Sequence, residues 1–253
     1  MADVAPDRRT SKDPLLLIAG LGQGTWVWKY VRPALERDRE VIAVEARGTG
    51  KNAELPARRS VEEMAADARA LLDRPVHVLG CSMGGYVALT LAAREPEIVR
   101  SLLLFSTGGG GPGRVPRPRS VADAITEALG LPDNEFAGRT MPLTLAPGWV
   151  DANPERFDDI IAARLEQPTP YELLEAHAAA CYRFYEDGCD VEDLDMPALV
   201  VHGDQDVIVP VANGRMLAKR LRRAEYVELP GRGHNLMLED PKTFTELVLD
   251  ALP

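Results

Sequence analysis

Nowhere in these 253 residues does an apolar run approach the ~18 needed to cross a membrane. The opening stretch, MADVAPDRRTSKDP, carries charges but no apolar centre, so no secretory leader is expected in it. Cysteine is scarce. Cys81, Cys181 and Cys189 have neither the CxxC spacing of a zinc site nor the density of a disulfide framework, which points to a reducing, cytoplasmic setting. Positive charge is in deficit, with 29 Lys and Arg against 39 Asp and Glu and a formal net charge of -10. Such a chain repels phosphate backbones on average, which argues against nucleic acid as a partner. The pairs Arg8-Arg9, Arg58-Arg59 and Arg222-Arg223 read as solvated surface. With only four scattered histidines, no metal and no cofactor are expected. A globular protein acting on a small molecule, without nucleic acid or membrane, is what these absences leave; oligomeric state is not addressed by them.

What is present is an alternation of strand-like and helix-like segments. Compact apolar runs fall at 14 to 20, 41 to 44, 75 to 80, 99 to 107, 196 to 204 and 224 to 231. Runs that are apolar throughout, without strict alternation, suit strands covered on both faces. Helical patterns lie between them: 60 to 73, opened by a Ser60/Glu63 capping box, 84 to 96, 213 to 222, and 240 to 252, with Pro241 suited to a first turn. This order predicts a mostly parallel sheet wrapped by helices. The first dozen residues read as a polar tail or a weak edge element. From GGGGPGRVPRPRS at 108 to about 194 no strand pattern occurs, and helical pieces separated by prolines predict a cap of residues 108–194 inserted into a core of 1–107 and 195–253.

The stretch VHVLGCSMGG crowds three glycines round one serine at the point where a strand turns into a helix. In G-x-S-x-G such a turn needs the space that Gly80 and Gly84 leave, and it lifts the Ser82 hydroxyl to a helix N-terminus that favours negative charge. A serine hydroxyl is a weak nucleophile and requires a base, itself oriented by an acid. Of the histidines, His77 lies within a strand, His177 reads as a cap or surface residue, and His202 as a loop support. His234, in the glycine-rich loop LPGRGHN before the last helix, is the candidate base. VVHGDQDVIVP offers Asp204 and Asp206, of which Asp206, followed by apolar residues that would pack it beneath the site, is the candidate acid. Cys81 is expected to pack under the helix. GLGQGT and GTGKN fit neither the dinucleotide fingerprint nor the P-loop.

The order serine, aspartate, histidine, together with GLGQGTWVW, EARGTGKN, GCSMGG, VVHGDQDVIVP and GRGHN, resembles the α/β-hydrolase superfamily from Pro14 to Leu252. Its layout is similar to the branch of small capped esterases and 3-oxoadipate enol-lactonases. The resemblance implies an α/β fold with a helical cap inserted after the sixth sheet strand, and Ser82, Asp206 and His234 as catalytic residues. It also implies an oxyanion hole from the backbone N–H groups of Met83 and Leu21. In the loop that usually reads His-Gly-x-Gly, Ala19 stands in place of the histidine, and Glu45 and Asn52 fall at loop-support positions. Trp26, Met141, Trp149, Tyr182 and Phe184 are the candidate pocket residues, and their apolar character suggests a small to medium acyl group. The expected activity is cleavage of a carboxylic ester through an acyl-enzyme. Lactone, thioester or carbon–carbon hydrolysis, and non-hydrolytic acyl transfer or cyclisation, use the same machinery.

Overall fold

The computed structural model describes residues 12–253. The reading of the first dozen residues as a tail, Lys12 apart, and that of Arg8-Arg9 therefore lie outside the described residues. Six strands follow in order: β1 (Leu15–Ile18), β2 (Val41–Ala43), β3 (Val76–Cys81), β4 (Val99–Phe105), β5 (Ala198–Gly203) and β6 (Ala224–Leu229). They form one sheet in the spatial order β2-β1-β3-β4-β5-β6, and all five pairings are parallel. The central strands are apolar because both their faces are covered. β1, β3 and β5 are buried at every residue, as expected of strands sandwiched between helices.

The helices of the first half are α1 (Arg32–Asp38), α2 (Val61–Arg69) and α3 (Met83–Arg94). The inserted cap supplies α4 (Arg119–Ala128), α5 (Asp133–Thr140), α6 (Trp149–Ala152), α7 (Pro154–Glu166) and α8 (Tyr171–Asp187). The chain ends with α9 (Val211–Arg220), α10 (Leu236–Glu239) and α11 (Pro241–Asp250). Ser60 caps α2 by accepting the Glu63 N–H at 3.2 Å, whereas the Glu63 carboxylate takes the N–H of Arg59 rather than that of Ser60. Pro241 opens α11, where its missing N–H costs nothing. No helix among the described residues is long and apolar enough to cross a membrane.

The helical cap sits after the fourth strand of this sheet, not after the sixth as expected. Among the described residues no strand precedes Leu15 to raise the count, and only β5 and β6 follow the insertion. The insertion leaves and rejoins the core at one place: Cys189 N–H donates to Gly109 O and Gly111 N–H to Tyr185 O, both at 3.0 Å. Its last helix is anchored by Phe184, which stacks on Tyr86 of α3 with ring centroids 4.4 Å apart.

Chain direction across the sheet reverses between β1 and β3: β2 lies on one side of β1, and β3 to β6 run out on the other. In open parallel sheets the crevice beyond the carboxyl ends of strands at such a reversal is where ligands bind. Here α3 is driven hard against the sheet. A Cβ on Gly80 would lie 2.3 Å from Gly84 O, one on Gly84 2.1 Å from Ile18 O, and one on Gly85 2.4 Å from Thr107 Oγ1. Gly80 and Gly84 are spacers between backbones, and Gly85 makes room for the Thr107 side chain. Gly84→Ala is expected to destabilise the protein by at least ~2 kcal/mol, because the added methyl meets main chain that cannot rotate aside. Gly138→Ala, in α5 with nothing within 4 Å of the added atom, should be neutral or up to ~1 kcal/mol stabilising. Urea denaturation of the two variants side by side checks the contrast.

Candidate active site

Four loops meet beyond the carboxyl ends of the strands. The first is the elbow after β3. Ser82 adopts φ 55° and ψ -120°, a conformation rare for a side chain other than glycine and sustained only where the surroundings dictate it. They do so here: Ser82 N–H donates to Phe105 O at 3.0 Å and Thr107 Oγ1 to Ser82 O at 2.8 Å. Ser106, which delivers Thr107, is the only other described non-glycine residue with positive φ, at 50°. Cys81 is buried, but it packs with Leu79, Leu103 and Phe105 on the face of the sheet opposite α3. The helix therefore does not cover it as expected; alternation along β3 turns adjacent residues to opposite faces.

The loops after β5 and β6 come together on Asp206. Its Oδ2 accepts from His234 Nδ1 at 2.7 Å and from His202 Nε2 at 3.1 Å. Its Oδ1 accepts the backbone N–H groups of Ile208 and Val209, each at 2.9 Å. Burial alone would raise this carboxyl, but the neighbouring imidazole charge of His234 and the hydrogen bonds from His202 and His234 outweigh it and hold Asp206 well below the usual carboxylate range. His202 also donates to Val209 O at 2.8 Å, which fixes the ring against the turn that carries Asp206. Asp204 has a different place: it accepts the Gly231 N–H at 2.7 Å and is half-buried in the turn. His77 is interior and bonded to Ser101 Oγ at 2.7 Å, with burial pulling its ring down to about 4.

The His234 loop is held by the cap. His234 N–H and Asn235 N–H donate to Thr144 O at 3.0 and 2.9 Å, and Asn235 Nδ2 donates to Thr144 Oγ1 at 2.9 Å. Glu239 Oε2 accepts the N–H groups of Gly233 and Ala146, at 3.0 and 3.1 Å, and so joins the loop to the cap a second time. Burial pushes the Glu239 carboxyl up, against the lowering effect of those two N–H groups.

The fourth loop, after β1, holds Leu21. Gly20 N–H donates to Gln23 Oε1 at 3.1 Å, and Gln23 Nε2 donates to Asn235 Oδ1 at 3.2 Å, so Gln23 braces this loop where Ala19 has no side chain to do so. A Cβ on Gly20 would lie 3.4 Å from Ser82 Cβ, which sets the loop beside the elbow. Among the described residues the N–H groups of Leu21 and Met83 make no hydrogen bond, and both stand free for a ligand. No hydrogen bond joins Ser82 to His234 among those residues; such contacts commonly tighten only with substrate bound.

A cavity of about 320 Å³ opens next to the elbow on the β1–β2 side, with Gly20, Gln23, Met83 and His177 in its wall. Glu45 and Asn52 also reach it. They support its loop: Asn52 Nδ2 donates to Glu45 O at 2.7 Å and Thr49 Oγ1 to Glu45 Oε1 at 2.7 Å. The five pocket candidates lie elsewhere. Trp26 and Met141 are buried in the apolar layer on the α1–α11 face, Trp149 packs against that layer, Phe184 is stacked on Tyr86, and Tyr182 is 67% exposed. Residue type alone does not place a side chain in a pocket; the face of its helix decides what it meets. His177, expected on the cap or at the surface, lies on cap helix α8 but is only 1% exposed. The apolar spacing of Leu173, Ala176, Ala180 and Phe184 marks the buried face of α8 and includes position 177, so the signal for it was present. Gln23, Asn235, Thr144 and Glu239 carry no such signal, because their partners are distant in sequence.

The sequence model of the alpha/beta hydrolase family matches residues 15–247. A protein from Pseudomonas savastanoi pv. phaseolicola, whose name proposes it as the carbamate hydrolase RutD, is 30% identical over 244 residues, covering 94% of this chain and 93% of its own. An esterase from Thermogutta terrifontis superposes with a TM-score of 0.77 at 25% identity, covering 94% of this chain and 88% of that one. The fold is also that of an enol-lactonase from Burkholderia xenovorans LB400, with a TM-score of 0.79, 24% identity and coverage of 95% and 91%. Matched along nearly its whole described length, the chain belongs to the alpha/beta hydrolase family.

Proposed function

We propose that the protein is a serine hydrolase that cleaves a small to medium carboxylic ester through an acyl-enzyme, with Ser82 as nucleophile, His234 as base and Asp206 as its orienting acid. The observations that support this reading are the 2.7 Å bond from His234 Nδ1 to a buried, fully hydrogen-bonded carboxylate and, separately, a serine held at positive φ on a helix N-terminus. A bond at Nδ1 leaves Nε2 to take the Ser82 proton as Oγ attacks the ester carbonyl. The oxyanion that forms is received by Leu21 and Met83 N–H, donors already in position and without competing acceptors. His234 then returns the proton to the departing alcohol, and water repeats the sequence to release the acid. Asp206 stays ionised throughout and stabilises the imidazolium. Residues 108–194 act in this reading as the cap over a core of 1–107 and 195–253. Lactones, thioesters and carbamates of matching size present the same carbonyl chemistry, and an ester panel extended to them ranks the classes.

A fluorophosphonate probe is expected to label Ser82, and Ser82→Ala to abolish labelling together with turnover; a label that persists elsewhere in that variant refutes the nucleophile. Asp206→Asn should lower kcat by on the order of 10³-fold or more, whereas Asp204→Asn, which touches only the turn at Gly231, should keep most of it. Steady-state kinetics on p-nitrophenyl butyrate with both variants decides between the two acids.

Glu239 supplies a stability prediction. An acid raised by burial binds its proton more tightly in the folded chain, so its contribution is complete below the ordinary value of 4.5 and is lost as pH rises through the raised folded value. Thermal melts of wild type and Glu239→Gln should therefore diverge, with the wild type gaining on the variant as pH falls from ~7 towards ~4.5. A difference in Tm that stays constant over this range contradicts the burial effect.

A further inference from the structure

His177 reaches the site from cap helix α8 and meets the loop after β1. The N–H of Gly22 points at its Nδ1, 3.3 Å away. A backbone amide can only donate, so Nδ1 holds a lone pair and the ring proton resides on Nε2. Burial pulls this imidazole down to about 4, which keeps it neutral at physiological pH. Its Nε2–H finds no acceptor on the described residues, and the ring forms part of the cavity wall. An imidazole on a cavity wall whose N–H has no partner in the protein is a site for an acceptor that arrives with the ligand.

The charged groups of that wall cancel one another. Arg47 Nε and Arg58 Nε both reach Asp67 Oδ2 at 2.8 Å, and Glu45 accepts the hydroxyls of Thr25 and Thr49. Two cations are thus equalled in number by two anions, both arginines lying on Asp67, and the rest of the wall is mainly aliphatic. The sheet order also fixes which part of a substrate enters. His234 and Asp206 stand on the β5–β6 side of Ser82, and the cavity on the β1–β2 side. A leaving alcohol has to lie within reach of His234 to be protonated, so the acyl chain runs the other way.

We propose that this cavity is the acyl pocket, and that it selects an uncharged acyl chain carrying one hydrogen-bond acceptor, which His177 Nε2–H holds. The inference rests on the serine-hydrolase reading above. The test uses p-nitrophenyl esters of straight-chain acids, a matched series in which one methylene at a time is replaced by a ketone, and the anionic hemisuccinate. Fluorophosphonate labelling of Ser82 serves as a measure independent of the acyl chain. In the wild type, kcat/KM for one keto ester should exceed that of its alkyl partner by roughly 3- to 10-fold, and the hemisuccinate should be the poorest substrate. His177→Asn, whose amide oxygen can still accept the Gly22 N–H but whose short side chain leaves the cavity without the donor, should erase the keto preference, read as the ratio of keto to alkyl kcat/KM within the variant whatever its absolute rate. His177→Phe should erase it too.

A merely structural role would lower keto and alkyl turnover together and leave their ratio unchanged, which overturns the proposal. So does a wild type without keto preference, or one that favours the hemisuccinate. In those cases intact Ser82 labelling shows that the hydrolase reading survives. Failure of labelling and of ester turnover in the wild type removes that reading, and the acyl pocket with it.

Discussion

The contact on which the site depends is the approach of α3 to the end of β1, where a Cβ on Gly84 would come within 2.1 Å of a backbone carbonyl. Main chain against main chain leaves no rotamer to absorb error, so the start of the helix has one position relative to the sheet. Three consequences follow from this single constraint. The chain must reverse within one residue, which puts Ser82 at positive φ. The first N–H of α3, on Met83, is left without a hydrogen-bond partner among the described residues. The loop after β1 is brought beside the serine, and the N–H of Leu21 in it likewise makes no hydrogen bond among the described residues. The elbow and these two unpaired N–H groups are thus one construction.

A second centre, Asp206, organises the other half. Four donors surround its carboxylate, two from backbone and two from imidazoles. Four donors to a buried anion offset its desolvation, and the charge becomes a fixed point against which a ring can be oriented. The two centres are independent in sequence but not in space. Gln23 and Asn235 span the gap between the loop after β1 and the loop after β6, so the position of one reports on the other.

Much of this was legible from residue order, for physical reasons that differ from element to element. The strands announced themselves because burial on both faces admits only apolar residues, and the six runs fell where β1 to β6 are found. The elbow was legible because backbone crowding admits only glycine, a requirement visible one residue at a time. The rank of the strand that precedes the cap was carried over from the family's layout and failed, since the insertion follows the fourth strand of the described sheet. The brace on Gly20 was hidden: glutamine has no fixed role, and its partner Asn235 lies 212 residues away. His177 was half legible. The periodicity of α8 put it on an inner face, but only the folded chain shows that this face lies against Gly22.

That last contact alters what a cap can be in this protein. Gly22, at φ 65°, gives its N–H to His177 and its carbonyl to Thr169 Oγ1 at 2.7 Å, and Leu174 fills the place where its side chain would stand. Both polar groups of the residue that follows Leu21 are therefore satisfied by the cap and not by the core. A movement that lifted the cap away would strip both at once, so the loop after β1 and the inserted segment hold their places together although they lie some 150 residues apart in sequence.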